Sequence, residues 1–129
     1  MKKIIFWIII AVSSVSICTC DPAGVAIIEF INNSSLNLQI ELVVFGFRNG
    51  NEIFNVMKNT STVYKYSSID RYDDPNDFIE RMKFHDFDSQ EFIYEMIVDS
   101  ETFTFIKEKK NGLGMDGYFK LEIDDNSFK

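Results

Sequence analysis

Four sets of side chains in this sequence carry chemistry by type and spacing. They are the thiols Cys18 and Cys20, the single histidine His85 with its neighbours Asp86 and Asp88, the acidic group Asp70, Asp73, Asp74 and Asp77 with Asn76, and the glycines Gly112, Gly114 and Gly117. A zinc site needs several His or Cys ligands, and one histidine with two terminal cysteines does not assemble one. Asp86 or Asp88 could orient the imidazole of His85 as a general base, but no nucleophile is fixed beside it, so the expected reading is a surface histidine in a polar turn. The acidic group offers oxygen ligands suited to Ca²⁺, although the order and the turn glycine of an EF-hand are missing. A solvated acidic face is the expected alternative. The glycines match G-x-G-x-x-G, yet only 12 residues follow Gly117, too few for the βαβ unit of a nucleotide site. They are expected to meet positive-φ demands in a hairpin.

The thiols are the more informative pair. Two cysteines at i and i+2 can hardly bridge each other, because a disulfide requires Cβ atoms about 3.8 Å apart and a fixed dihedral. Lys2 and Lys3 precede an apolar run over 4–12, followed by the small residues Ser13, Ser14 and Ser16, which is the layout of a secretory signal. That run is shorter than the ~17–25 residues of a spanning helix. Ordinary cleavage near Ser16 would leave both thiols in the mature chain. Ile17-Cys18-Thr19-Cys20, however, resembles the lipobox of bacterial lipoproteins. The resemblance implies an aliphatic slot at Ile17, a rather large Thr19 in the small-residue slot, cleavage before Cys20, and a diacylglyceryl group on the Cys20 thiol. Cys18 is the poorer acceptor, since bulky Ile17 would adjoin the cut.

The elements that follow must supply a core without covalent help. The chain has 129 residues, 46% hydrophobic and 15% aromatic, with 13 basic and 20 acidic side chains and a net charge of −7. This excludes a multidomain machine, a polytopic membrane protein and a basic nucleic-acid binder. Removing residues 1–19 leaves 110 residues with 11 basic and 20 acidic side chains, a charge of −9. Such a chain buries roughly 65% of its unfolded surface.

The mature chain reads as a tether over 20–24 and one domain over 25–125. Residues 25–31 are β-rich, and Asn32-Asn33-Ser34-Ser35 follows as a turn. Leu36, Leu38, Ile40 and Leu42 alternate with polar residues, the period of a half-buried strand. Asn49-Gly50 predicts a hairpin into a strand over 52–57, and residues 61–67 predict another. Phe103 and Phe105, then Phe119, Leu121 and Ile123, predict a second hairpin across the glycines. Asp74-Pro75 could start a helix carrying Phe78 and Met82, but the surrounding pattern favours a strand there. Residues 88–98 stay open between a helix capped by Asp88 and Glu91 and a strand. The sum is an all-β, antiparallel sandwich of six to eight strands, of immunoglobulin-like type.

The layout of Cys20, the short tether, the stretch from Ile28 to Ser35 and the terminal Tyr118-Phe119-Lys120-Leu121-Glu122-Ile123 resembles the small β-sandwich lipoproteins of Bacteroidetes-type bacteria. The acidic run that marks export in that group is absent after Cys20, where only Asp21 stands. The resemblance implies a lipid-anchored envelope protein, and because no constellation of residues meets the roles of a catalytic site the expected function is non-enzymatic, a binding or structural role without a cofactor. Residues 70–101 hold 11 carboxylates and 3 basic side chains, which suggests as an alternative an inhibitor or immunity lipoprotein that neutralises a basic hydrolase. Lys107, Lys109 and Lys110 form an exposed basic tip. Asn32, Asn33 and Asn59 match the N-glycosylation pattern, which carries little meaning for a bacterial lipoprotein.

Overall fold

The computed structural model describes residues 23–45 and 51–129. The signal segment, both cysteines and the Asn49-Gly50 turn lie outside the described residues. Among the described residues eight strands occur in chain order: β1 (Ala23–Asn32), β2 (Leu38–Val44), β3 (Glu52–Val56), β4 (Thr60–Ile69), β5 (Ile79–Asp86), β6 (Phe92–Ile97), β7 (Thr104–Asn111) and β8 (Gly114–Ile123). A four-residue helix α1 (Pro75–Phe78) precedes β5, and a 3₁₀ turn (Asp125–Phe128) follows β8.

The strands form two four-stranded sheets, ordered β4-β1-β8-β7 and β3-β2-β5-β6. Alternation drives both. Leu38, Ile40 and Leu42 turn inward and are fully buried, while Gln39 and Glu41 turn out. Ala26, Ile28 and Phe30 of β1 meet them from the other sheet, with Phe119, Leu121 and Ile123 of β8 alongside. Aromatic rings bind the layers: Phe30 lies 4.9 Å from Phe54 of β3, and Tyr66 of β4 stacks on Phe78 at 4.1 Å.

The all-β sandwich is therefore present, with three differences in detail. β1 and β8 pair in parallel at the centre of their sheet, from Ala26↔Gly117 to Asn32↔Ile123, whereas the other strand pairings among the described residues are antiparallel. β1 and β2 belong to opposite sheets, while the immunoglobulin constant-type order keeps the first two strands side by side. The domain also exceeds 25–125 at both ends. Ala23 and Gly24, expected in the tether, open β1, and Phe128 packs edge-on against Phe84 at 5.4 Å.

The middle of the chain uses both options read from it. Asp74 caps α1 by accepting a hydrogen bond from the Asn76 amide at 2.9 Å, Pro75 occupies the first turn, and the chain then enters β5 at Ile79. Residues 92–97 form a strand, and Asp88 with Glu91 belongs to the β5–β6 turn instead of a capping box. The second hairpin is tighter than expected, since β7 runs to Asn111 and β8 starts at Gly114.

Asn32 ties the sandwich together at the end of β1. It is fully buried. Its amide nitrogen donates to the carbonyls of Leu36 and Val56, both at 2.8 Å, and its oxygen accepts from the Ser34 amide and hydroxyl at 2.9 and 2.6 Å. The side chain thereby bonds β1, the β1–β2 turn and β3 at once, with its donors and acceptors satisfied.

Candidate functional site

The polar pocket with the most concentrated chemistry lies where the chain leaves β4. Asp70 takes φ +66°, a left-handed conformation that turns the chain back on itself. Residues 70–72 then lie along the start of β8: the Tyr72 amide donates to the Met115 carbonyl, and the Met115 amide to the Asp70 carbonyl, both at 3.0 Å. This directs Tyr72 onto β8 over Gly117. A Cβ on Gly117 would stand 2.4 Å from the Tyr72 ring, so only glycine admits it. The ring meets Phe119 edge-on at 5.6 Å.

The Tyr72 hydroxyl donates to the Glu108 carboxylate of β7, and the Arg71 guanidinium binds the same oxygen. Arg71 Nη2 also lies 3.4 Å from the phenol oxygen. Together with Asp74, Phe105 and Phe119 these three residues line an open pocket of about 480 Å³. Burial, reinforced by the hydrogen bond to Glu108, pushes the phenol above its ordinary pKa of 10.0. The hydrogen bond to Tyr72, followed by the charge of Glu108, raises that of Arg71. Tyr72 consequently stays protonated at neutral pH and acts as a donor. Glu108 accepts both hydrogen bonds at the same oxygen, Oε1. The arrangement is a clasp that fastens the β4–α1 connection to β7 and leaves a partly free guanidinium at its rim.

A second, apolar groove of about 340 Å³ crosses the outer face of the same sheet, lined by Ile27, Val63, Ile106 and Tyr118 among others. A register shift between Phe105 and Lys107 makes room for Ile106, and the Lys107 ammonium sits 5.0 Å above the Tyr118 ring.

The residues singled out in the sequence are placed differently from one another. His85 lies on β5, not in a turn, half-buried and edge-on to Phe92 at 5.6 Å. Its supposed partners serve elsewhere: Asp86 accepts from the Asp88 amide at 2.9 Å, and Asp88 from the Asn37 side chain at 3.1 Å. Asp73 accepts from the Ser68 hydroxyl, Asp74 caps α1, and Asn76 clasps the Phe103 backbone through bonds of 3.1 and 2.8 Å. Asp70 and Asp77 are exposed in the same connection. Among the described residues, no three His, Cys, Asp or Glu side chains gather into a metal-holding group.

The acidic stretch 70–101 is divided. Asp70, Asp73, Asp74, Asp77, Asp99 and Glu101 lie toward the end of the sandwich where β1 begins, and Asp86, Asp88 and Glu91 lie at the opposite end. Lys109 and Lys110 are exposed near the tip of the β7–β8 hairpin. Of the three glycines, Gly112 alone meets a positive-φ demand, at +60°. Gly114 and Gly117 are strand residues kept small by close neighbours. Asn32 is excluded as a glycan acceptor in the folded state by its burial.

Tyr72 and Glu108 were not legible as a site, because 36 residues separate them. The one local signal was a glycine inside an otherwise well-patterned strand, which marks a place where something approaches closely. Among the described residues no helix is long and apolar enough to cross a membrane. No family model, curated protein or solved structure matches the chain.

Proposed function

We propose that the protein is a non-enzymatic lipoprotein of the cell envelope, a β-sandwich of the Bacteroidetes lipoprotein type held to its membrane by an acyl group on Cys20 and acting through binding or structural association. The observation that supports the non-enzymatic part is the structural use of the polar clasp. Arg71 and Tyr72 both bind Glu108 Oε1, and Asp74 accepts from the Asn76 amide, so each of the pocket's two acids makes a contact that holds the fold. A catalytic site needs a nucleophile, a base within reach and a stabiliser for developing charge. The lipid anchor rests on the signal layout and on Ile17-Cys18-Thr19-Cys20.

The inhibitory alternative, an acidic plug for a basic hydrolase, draws less support, because the carboxylates of 70–101 are divided between two ends. The test is acylation in a bacterial host grown with labelled palmitate. The wild type takes the label and Cys20→Ala does not. Label retained by Cys20→Ala would move the anchor to Cys18, and an unlabelled wild type would remove it.

A further inference from the structure

The two most exposed large hydrophobic side chains among the described residues are Leu113, 84% exposed, and Ile69, 74% exposed. Single exposed hydrophobic residues are ordinary on protein surfaces. These two are distinguished by position, because they flank the first residue of β1. Ile69 is the register partner of Ala23 on one side. On the other side Gly114 abuts Ala23 so closely that a Cβ would stand 2.0 Å from the Ala23 carbonyl oxygen, and Leu113 precedes Gly114 in the hairpin turn. Leu113 gains no burial from its own domain, in a turn where polar residues are usual. Lys109 and Lys110 are exposed on the same hairpin.

Ala23 is also the described residue closest in sequence to Cys20. Three Cα–Cα steps separate them, a reach of about 11 Å at most. An acyl group on Cys20 consequently keeps Ala23, and with it Ile69 and Leu113, at the bilayer surface. Resting on the lipid-anchored reading, we infer that this end of the sandwich docks on the membrane that holds the anchor. Leu113 enters the boundary between headgroups and acyl chains, Ile69 lies beside it, and Lys109 and Lys110 face anionic headgroups. Asp70, Asp73, Asp74, Asp77, Asp99 and Glu101 lie toward the same end and oppose anionic lipid, so the apolar side chains carry the contact and the lysines only set which part of that end, the hairpin tip, meets the headgroups. The opposite end, with the turns at 33–37 and 86–91, faces away from the membrane.

The test uses the full chain, matured in a bacterial host and reconstituted into phosphatidylethanolamine and phosphatidylglycerol vesicles with or without acyl-brominated lipid. The only tryptophan of the sequence is Trp7, which signal cleavage removes, so Leu113→Trp supplies a single probe at a site too exposed to disturb folding. Lys58→Trp places the same probe at the far end. Emission from Leu113→Trp shifts to the blue on vesicles and is lost on brominated lipid, while Lys58→Trp is unchanged. Solvent-like, unquenched emission from both variants in chains that carry palmitate would overturn the docking and leave the anchor standing. An unlabelled chain would overturn both. A concentration-dependent blue shift without vesicles and without bromine quenching would assign the tip to a protein contact, which also overturns the proposal.

Discussion

Tyr72 occupies the space that a side chain on Gly117 would fill, with its ring 2.4 Å from where the Cβ would stand. This close approach fixes the β4–α1 connection on β8 and brings the phenol to Glu108. Gly117→Ala must displace the ring or open the sheet. The expected cost is about 1–3 kcal/mol, the range of overpacked interiors. Urea denaturation checks it against Gly112→Ala, where open space leaves only the positive-φ penalty of about 1 kcal/mol. A Gly117→Ala midpoint equal to that of wild type would contradict the account of Tyr72.

Asn32→Ala removes the buried amide and takes a partner from the Val56 carbonyl and from the Ser34 amide, while the Ser34 hydroxyl can still donate to the Leu36 carbonyl at 3.2 Å. Each buried group left unpaired costs about 1–3 kcal/mol, so this variant is expected to be among the most destabilising single substitutions in the domain. Asn33→Ala, in the same turn but exposed, should stay within about 0.5 kcal/mol of wild type. Chemical denaturation of both variants makes the comparison.

The Tyr72 phenol has a folded pKa above its ordinary 10.0 because it is partly desolvated and donates to Glu108. The folded state therefore holds this proton after the unfolded state has lost it. The stability gained is fully present below about pH 10 and is lost as pH rises through the folded value. Tyr72→Phe should flatten that alkaline decline in a series of melting curves. An unchanged slope in Tyr72→Phe would place the alkaline sensitivity elsewhere.

Asp125 behaves in the opposite direction. Hydrogen bonds from the Ser35 amide and hydroxyl, both 2.9 Å, hold its carboxyl below the usual 3.8. Its contribution is present above about pH 3.8 and is lost as pH falls through the lower folded value. Asp125→Asn should reduce the acid sensitivity of unfolding, as read from the melting temperature between pH 5 and pH 2.

Calcium should leave the domain unmoved. Asp73, Asp74 and Asn76 are engaged with Ser68, the α1 amide and Phe103, and a ligand that binds only the folded state raises its melting temperature. Scanning calorimetry with excess Ca²⁺ or with chelator is expected to give the same transition. A calcium-dependent rise abolished by Asp73→Asn would restore the acidic group as a site.

Strand positions in the sequence were readable where one face is buried. Leu38, Ile40 and Leu42 could bury together only on a strand, because a period of two is a local property of the backbone. The turn at Gly112 was likewise legible, since positive φ selects for glycine. Pairing between distant strands has no such local mark. That β1 lies parallel to β8, that β1 and β2 separate into opposite sheets, and that Tyr72, Arg71 and Glu108 meet all follow from contacts across tens of residues. Local chemistry set the elements. Only tertiary packing decided that Gly117 would be a seat for Tyr72, that Asn32 would hold three segments, and that Ile69 and Leu113 would stand on either side of Ala23.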